Sequence, residues 1–313
     1  MLILILPVCI AACLIAGFFG LTYYGFLRAI KRGRELDIYD RDSISGTSWD
    51  DYYDAILEGI RWIHEHEFEE IEQTSVDGLR LHARLIRHPQ AEGTVIMFHG
   101  YRTNADVDFS AAAHIYYGCR NNLLLVDQRA CGKSEGMYIG FGVLERHDAN
   151  LWAHYIARRF GPAHRIILSG LSMGASTVLM ALSLPLPENV CGIVADSAFS
   201  SPFDIIQNEI HTSFHISGKR IVRGIDFWCR RKAGYALDEL STLDAVKGTT
   251  IPILFAHCTA DTRVPVSMTL KAAECAAGET ILLITEGGAH GCSYVLDNER
   301  YIPALQDLCS RKE

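Results

Sequence analysis

The segment that most constrains this chain is a serine between two glycines, placed between a strand-like run and a helix-like run. Residues 170–174 read Gly-Leu-Ser-Met-Gly, so the serine is Ser172. Branched aliphatic side chains over residues 165–169 predict a strand, and residues 175–182 predict a helix. In this setting a G-x-S-x-G motif predicts a strained turn that lifts the serine hydroxyl above a sheet, with glycines where the bend leaves no room.

Two further candidate side chains follow predicted strands in the same way. Asp261 lies in the loop after a strand over residues 251–257, and His290 lies in a glycine-rich loop after a strand over 280–284. Alone, a loop aspartate is usually a turn residue and a loop histidine is usually solvated. In the order Ser, Asp, His they predict a catalytic triad, in which His290 accepts the serine proton and Asp261 orients the imidazole.

A predicted strand over residues 94–98 supplies a candidate oxyanion hole. It is followed by His99-Gly100-Tyr101. One donor in such sites is the backbone N–H of the residue after the nucleophile, which is Met173 here. We expect the second donor to be the backbone N–H of Tyr101. Both are main-chain groups, so the identity of their side chains matters little.

These motifs resemble the α/β-hydrolase superfamily, and within it the membrane-anchored serine hydrolases of the Bem46 and YqkD type. The further matching segments are residues 75–81, 127–136, 196–199 and 231–235. The resemblance covers roughly residues 50–310, and it departs from the usual pattern at Cys258 and at Ala130-Cys131, where the family generally has glycine. It implies hydrolase chemistry but leaves the substrate open, because one fold serves many reactions.

The beginning of the chain predicts a membrane anchor. Residues 2–27 carry no charged side chain, and this uncharged stretch is longer than the roughly 20 residues needed to span a bilayer. A cleavable signal peptide would have a charged start and a shorter apolar core. Four basic residues follow the span, and the positive-inside rule then places the catalytic domain in the cytoplasm. Ten scattered cysteines without paired spacing agree with a reducing compartment.

The remaining pattern predicts three segments. Residues 1–27 are the transmembrane anchor, 28–66 a juxtamembrane connector with an amphipathic helix, and 67–313 the α/β-hydrolase domain. Strands alternate with helices in that domain, which predicts a mostly parallel sheet covered on both faces. An insertion at about 199–248 breaks the alternation, and its two helical patterns predict a lid over the site.

Charge excludes one class of partner and suggests another. The net charge is −8; without the four juxtamembrane basic residues, 25 Lys and Arg face 37 Asp and Glu, a net charge of −12. Such a domain is a poor nucleic-acid binder. We hypothesise that a basic cluster around the second lid helix faces the membrane or an anionic acyl substrate. The cluster consists of Lys219, Arg220, Arg223, Arg230, Arg231 and Lys232.

The other histidines predict neither a metal site nor a cofactor. His64 and His66 stand two residues apart, and such positions do not share a helix face. A solvated helix end is the better interpretation of that segment. His257 ends a predicted strand, and we expect it to be buried and hydrogen-bonded.

The sequence therefore predicts a membrane-tethered serine hydrolase that acts on carboxylic esters or thioesters through an acyl-enzyme. An apolar lid beside an anchor favours a small-molecule or lipid-like acyl substrate. Two alternatives stay open: a serine peptidase, because the same triad cleaves amides, and a catalytically silent scaffold that binds a partner through its lid. The presence of Ser172, Asp261 and His290 together argues against the scaffold alternative.

Overall fold

The computed structural model describes residues 2–47 and 49–311. The first residue of the predicted anchor and the last two of the predicted hydrolase domain lie outside these ranges, as does Ser48. Eight strands form one sheet. They are β1 (Glu69–Thr74), β2 (Arg80–Ile86), β3 (Gly93–Phe98), β4 (Asn121–Asp127), β5 (Arg165–Leu171), β6 (Val190–Asp196), β7 (Ile253–Cys258) and β8 (Thr280–Thr285).

The sheet has the order β1-β2-β4-β3-β5-β6-β7-β8. β2 pairs antiparallel with β1 and β4, and the remaining neighbours pair in parallel. Because parallel strands end at the same edge, the loops after β3, β5, β7 and β8 are brought together there. The predicted strands that carry the candidate site residues are therefore adjacent or, for β5 and β7, separated by β6 alone, and the predicted mostly parallel sheet is confirmed.

Helices lie before β1, between the later strands and after β8. In chain order, the α-helices of the described residues are α1 (Leu2–Ala29), α2 (Arg41–Ile44), α3 (Tyr53–His64), α4 (Ala105–Asp108), α5 (Ala113–Gly118), α6 (Glu145–Phe160), α7 (Met173–Ala181), α8 (Pro202–Phe214), α9 (Lys219–Trp228), α10 (Thr242–Ala245), α11 (Val266–Cys275), α12 (Ser293–Leu296) and α13 (Asn298–Ser310). Two 3₁₀ turns, Asp50–Tyr52 and Val246–Gly248, and a π-helical turn, Cys229–Ala233, complete them.

Both faces of the sheet are covered by helices. On one face, Trp152 and Ile156 of α6 and Val178 of α7 pack against buried strand residues. On the other, Tyr116 of α5 and Leu305 of α13 do the same. The central strands β3 to β6 are buried along nearly their whole length and are mostly apolar, because neither face of the sheet meets water there. The predicted arrangement of helices on both faces is confirmed.

The insertion between β6 and β7 packs against the C-terminal part of α1. α8 begins at an N-cap, Ser201, whose side chain accepts a hydrogen bond from the Asp204 N–H. The buried residues of α8 and α9 share one hydrophobic cluster with Phe26 and Ile30 from the first segment of the chain. α1 runs to Ala29, two residues past the predicted end of the anchor, because its last turn is held by this contact and by hydrogen bonds described below.

Candidate active site

Ser172 occupies a sharp turn between β5 and α7. Its backbone has φ 56° and ψ −114°, a region that non-glycine residues rarely adopt. The Ser172 N–H donates to the carbonyl oxygen of Asp196 at 2.8 Å, so the end of β6 holds the turn in place. This conformation presents the hydroxyl at the edge of the sheet where the parallel strands end.

The glycines on either side of Ser172 are required by close backbone contacts. A Cβ atom on Gly170 would lie 2.2 Å from the carbonyl carbon and oxygen of Gly174. A Cβ atom on Gly174 would lie 1.8 Å from the carbonyl oxygen of Phe98 on β3. In both cases the obstacle is main chain, which cannot move aside without distorting the sheet.

Gly174→Ala is therefore expected to lower the free energy of unfolding by about 3 kcal/mol, because the methyl group forces α7 away from β3. Chemical denaturation followed by circular dichroism measures the change. Gly118→Ala is the matched control, since nothing lies within 4 Å of a Cβ atom at that position. Equal stability of the two variants would show that the close approach of α7 and β3 is not required.

The structure brings Ser172, His290 and Asp261 into one hydrogen-bonded chain. The Oγ atom of Ser172 lies 2.8 Å from Nε2 of His290, and Nδ1 of His290 lies 2.7 Å from Oδ2 of Asp261. The histidine loop is itself held, because the indole N–H of Trp49 donates to the His290 carbonyl oxygen at 2.9 Å. Residues far apart in the sequence thus meet in the order that proton transfer from a serine requires.

Asp261 is fully buried and has four hydrogen-bond partners. Its Oδ1 accepts the backbone N–H groups of Arg263 and Val264, each at 2.9 Å, while Oδ2 faces His290 and, at 3.1 Å, Nε2 of His257. Burial alone would raise the pKa of this carboxyl. Hydrogen bonds from the two imidazoles outweigh burial and hold the pKa of Asp261 well below its usual range. The carboxylate is therefore ionised at neutral pH.

His257 is a residue whose contact with the site the sequence did not indicate. It is buried and hydrogen-bonded, as predicted: Nδ1 lies 2.7 Å from the Thr269 hydroxyl and Nε2 lies 2.9 Å from the Val264 carbonyl oxygen. His257 and Asp261 are four residues apart in the sequence, but that spacing predicts a contact only within a helix. Here His257 lies at the end of β7 and Asp261 lies in the loop after it.

The predicted oxyanion donors, the backbone N–H groups of Tyr101 and Met173, belong to two segments that adjoin Ser172. A Cβ atom on Gly100 would lie 3.4 Å from the Cβ atom of Ser172, so the loop after β3 passes against the nucleophile. Met173 is the first residue of α7, and its N–H therefore has no acceptor within that helix. Gly100, the neighbour of Tyr101, and the start of α7 are therefore both close to Ser172.

Asp108 holds the loop after β3 in place through two hydrogen bonds, and no sequence motif indicated this role. Its Oδ2 accepts the Gly100 N–H at 2.5 Å, and its Oδ1 accepts the Thr103 hydroxyl at 2.9 Å. Burial raises the pKa of Asp108 to about 7 despite these hydrogen bonds. The main chain next to Ser172 is therefore held by a carboxyl group that titrates near neutrality.

The same loop also holds the end of α1. The Tyr101 hydroxyl donates to the Ala29 carbonyl oxygen at 2.8 Å. The Arg102 guanidinium donates to the carbonyl oxygens of Arg28 and Lys31, each at 2.9 Å. These carbonyls belong to the last turn of the helix and the residues after it, where no N–H donor within the helix is available to them. The apolar N-terminal helix and the loop beside Ser172 are therefore directly connected.

Metal ligation finds no support in the part of the chain that the structure describes. Within residues 2–47 and 49–311, no three His, Cys, Asp or Glu side chains are grouped so that they could hold a metal ion. His64 is half exposed at the end of α3 and pairs with Asp106, 2.9 Å from its Nε2.

Comparison with known proteins agrees with the fold. No family model matches the chain. It is 24% identical over 294 residues to the uncharacterised protein YqkD of Bacillus subtilis, covering 92% of this chain and 91% of that one. An esterase of Pyrococcus furiosus superposes with a TM-score of 0.63 at 21% identity, over 78% of this chain and 91% of the esterase. The α/β hydrolase GrgF of a Penicillium species gives 0.59 at 19% identity, over 78% and 98% of the two chains.

The chain thus has the α/β-hydrolase fold and is similar to YqkD along most of its length.

Proposed function

We propose that this chain, built on the α/β-hydrolase fold, is a membrane-tethered serine hydrolase that cleaves carboxylic esters or thioesters through an acyl-enzyme. The observation that carries the proposal is the continuous hydrogen-bonded chain from Ser172 through His290 to Asp261, with distances of 2.8 and 2.7 Å. A scaffold without catalytic activity would have no need of a strained serine aligned with a histidine and a buried carboxylate.

The proposed reaction has two halves. The Ser172 oxygen bonds to the acyl carbon while His290 takes the hydroxyl proton, and Asp261 stabilises the imidazolium that forms. The carbonyl oxygen becomes negative and accepts hydrogen bonds from the N–H groups of Met173 and Tyr101. As the bond to the alcohol or thiol breaks, His290 protonates that group. Water then attacks the acyl-enzyme by the same steps in reverse order and releases the acid.

Apolar side chains beside the site favour an apolar acyl group. Met173 lies in a hydrophobic cluster with Phe141 and Phe199, whose ring centroids are 6.2 Å apart. The Tyr101 ring lies 5.1 Å from that of Phe141. Side chains next to both proposed oxyanion donors are therefore aromatic or aliphatic, which suits a lipid-like chain better than a charged one.

The tether in this proposal is α1. Residues Pro7–Ala29 are long and apolar enough to cross a membrane, and nearly all of that stretch is unburied, unlike a core helix of a soluble protein. Thr22 and Phe26 in its C-terminal part are buried against the rest of the chain, which favours a retained helix over a cleaved signal sequence. The basic residues after it favour a cytoplasmic catalytic domain.

Labelling with an active-site-directed fluorophosphonate tests the catalytic part of the proposal. We expect the full-length chain in detergent to be labelled at Ser172, with the site located by peptide mass spectrometry. Ser172→Ala should abolish labelling, and Ser183→Ala, a serine just beyond the end of α7, should leave it unchanged. A folded native chain that is not labelled would refute an activated serine, and the partner-binding scaffold would then be favoured.

A further inference from the structure

An open groove lies where α1 and α9 pack together, away from the hydrogen-bonded chain of Ser172. We call it the α1–α9 groove, and its volume is about 470 Å³. Three phenyl rings and three cations line it. They are Phe18, Phe19, Phe227, Lys219, Arg220 and Arg223. No carboxylate is among the described residues that line this groove.

Close helix packing fixes the walls of the groove. A Cβ atom on Gly224 would lie 2.3 Å from Cγ2 of Thr22, and one on Gly25 would lie 2.9 Å from Cδ1 of Ile225. The Trp228 indole N–H donates to the Thr22 hydroxyl at 3.3 Å. Because glycines let the two helices approach so closely, the groove is a feature of a packed junction and does not depend on a mobile loop.

The apolar wall remains open although its rings contact one another. The Phe18, Phe19 and Phe227 side chains are 38, 39 and 39% exposed, respectively. The centroids of the Phe19 and Phe227 rings are 5.5 Å apart, and those of Phe18 and Phe19 are 6.0 Å apart. A continuous strip of aromatic surface left open in this way is typical of a binding site for an apolar ligand or a membrane.

The cations of the groove differ in how far they are neutralised. Arg223 pairs with Asp238 at 2.8 Å, whereas no carboxylate of the described residues pairs with Lys219 or Arg220. Arg230, which the sequence placed in the same cluster, is neutralised by Asp226 and Asp238. Among the cations that line the groove, the uncompensated positive charge therefore lies at the N-terminal end of α9, next to Phe18 and Phe19.

The position of the groove along α1 matches the level of phospholipid headgroups. Charged side chains are costly in the hydrocarbon core, so Lys219 and Arg220 lie at or above its boundary, and the buried Thr22 farther along α1 is packed against protein rather than lipid. Phe18 and Phe19 then lie at the boundary of the hydrocarbon, and the cations of α9 beside them lie at the level of the phosphates. This step rests on the proposed membrane tether.

We propose that the α1–α9 groove binds one anionic phospholipid of the host bilayer. Lys219 and Arg220 hold its phosphate-bearing headgroup, and an acyl chain lies along Phe18, Phe19 and Phe227. Charge complementarity selects the anionic headgroup, and the aromatic strip distinguishes a lipid from free phosphate. The bound lipid would fill the open side of the junction between the anchor and the lid helix.

Native mass spectrometry of the full-length chain released from nanodiscs tests this. The nanodiscs contain phosphatidylcholine with a minor fraction of phosphatidylglycerol of the same acyl chains. We expect the native chain to retain one phosphatidylglycerol, and Lys219→Gln/Arg220→Gln to retain it about 30-fold more weakly. Arg158→Gln/Lys271→Gln makes the same charge change at exposed positions of α6 and α11 and should keep the native preference.

Further arms separate the possible failures. Phe227→Ala should weaken retention at unchanged charge, and excess inorganic phosphate should not displace the lipid. Equal retention of both lipids by the native chain, or full displacement by phosphate, would overturn the lipid site. Fluorophosphonate labelling in the same samples reports on the proposed hydrolase separately: labelling without lipid preference refutes only the groove, and preference without labelling refutes only the catalytic proposal. A chain that does not enter nanodiscs refutes the tether.

Discussion

His290→Ala is expected to lower kcat for a p-nitrophenyl acyl ester by about 10⁶-fold, the largest effect of any single replacement outside Ser172 itself. The imidazole is the group placed to take the proton from the Ser172 hydroxyl, 2.8 Å from its Nε2. Without it the nucleophile stays protonated, and the leaving group has no acid. Steady-state kinetics on the purified full-length chain measures the loss.

Two companion variants make this prediction specific. Ser172→Ala/His290→Ala should be no slower than either single variant, because residues that act as a unit do not lose activity additively. His64→Ala removes a half-exposed histidine that pairs with Asp106 and should leave turnover unchanged. A double variant much slower than both single variants would show that His290 and Ser172 contribute through separate routes.

Asp261→Asn is expected to lower kcat by about 10⁴-fold while the fold is retained. The amide oxygen can replace Oδ1 and still accept the N–H groups of Arg263 and Val264. The amide nitrogen then takes the place of Oδ2 and donates to Nδ1 of His290. This leaves the imidazole proton on Nε2, where it faces the Ser172 oxygen and cannot accept the hydroxyl proton.

A second buried carboxylate provides the matched control. Asp196 ends β6 and is bonded to the hydroxyls of Ser197 at 2.9 Å and Ser293 at 3.1 Å. Asp196→Asn should therefore change turnover far less than Asp261→Asn, with thermal unfolding monitored for both. If the effects were reversed, Asp196 would be the carboxylate that supports catalysis, and the assignment of Asp261 would be wrong.

The sequence was sufficient to predict which side chains meet, because each of them follows a strand. Ser172, Asp261 and His290 lie after β5, β7 and β8, and parallel strands deliver such residues to one edge of the sheet whatever the intervening loops contain. The glycines beside Ser172 likewise follow from the sharpness of the turn. The alternation of strands and helices was enough to predict the layers.

The sequence could not predict how the N-terminal helix meets the rest of the chain. Hydropathy does not distinguish a lipid-facing side chain from one packed against protein, so the burial of Thr22 and Phe26 against the rest of the chain could not be predicted. The basic residues of the insertion between β6 and β7 form one cluster in the sequence. In the structure Arg230 is neutralised by Asp226, which lies four residues before it, and by Asp238, whose proximity only the fold creates.

The hydrogen bonds from Tyr101 and Arg102 to the last turn of α1 have a consequence for how an anchored enzyme would meet its substrates. In the proposed tether these bonds join α1 directly to the loop beside Ser172, so the nucleophile would be held at a fixed height and orientation above the lipid surface. Such an enzyme searches in two dimensions. Molecules in the membrane encounter it by lateral diffusion, whereas molecules free in solution must first reach the membrane surface.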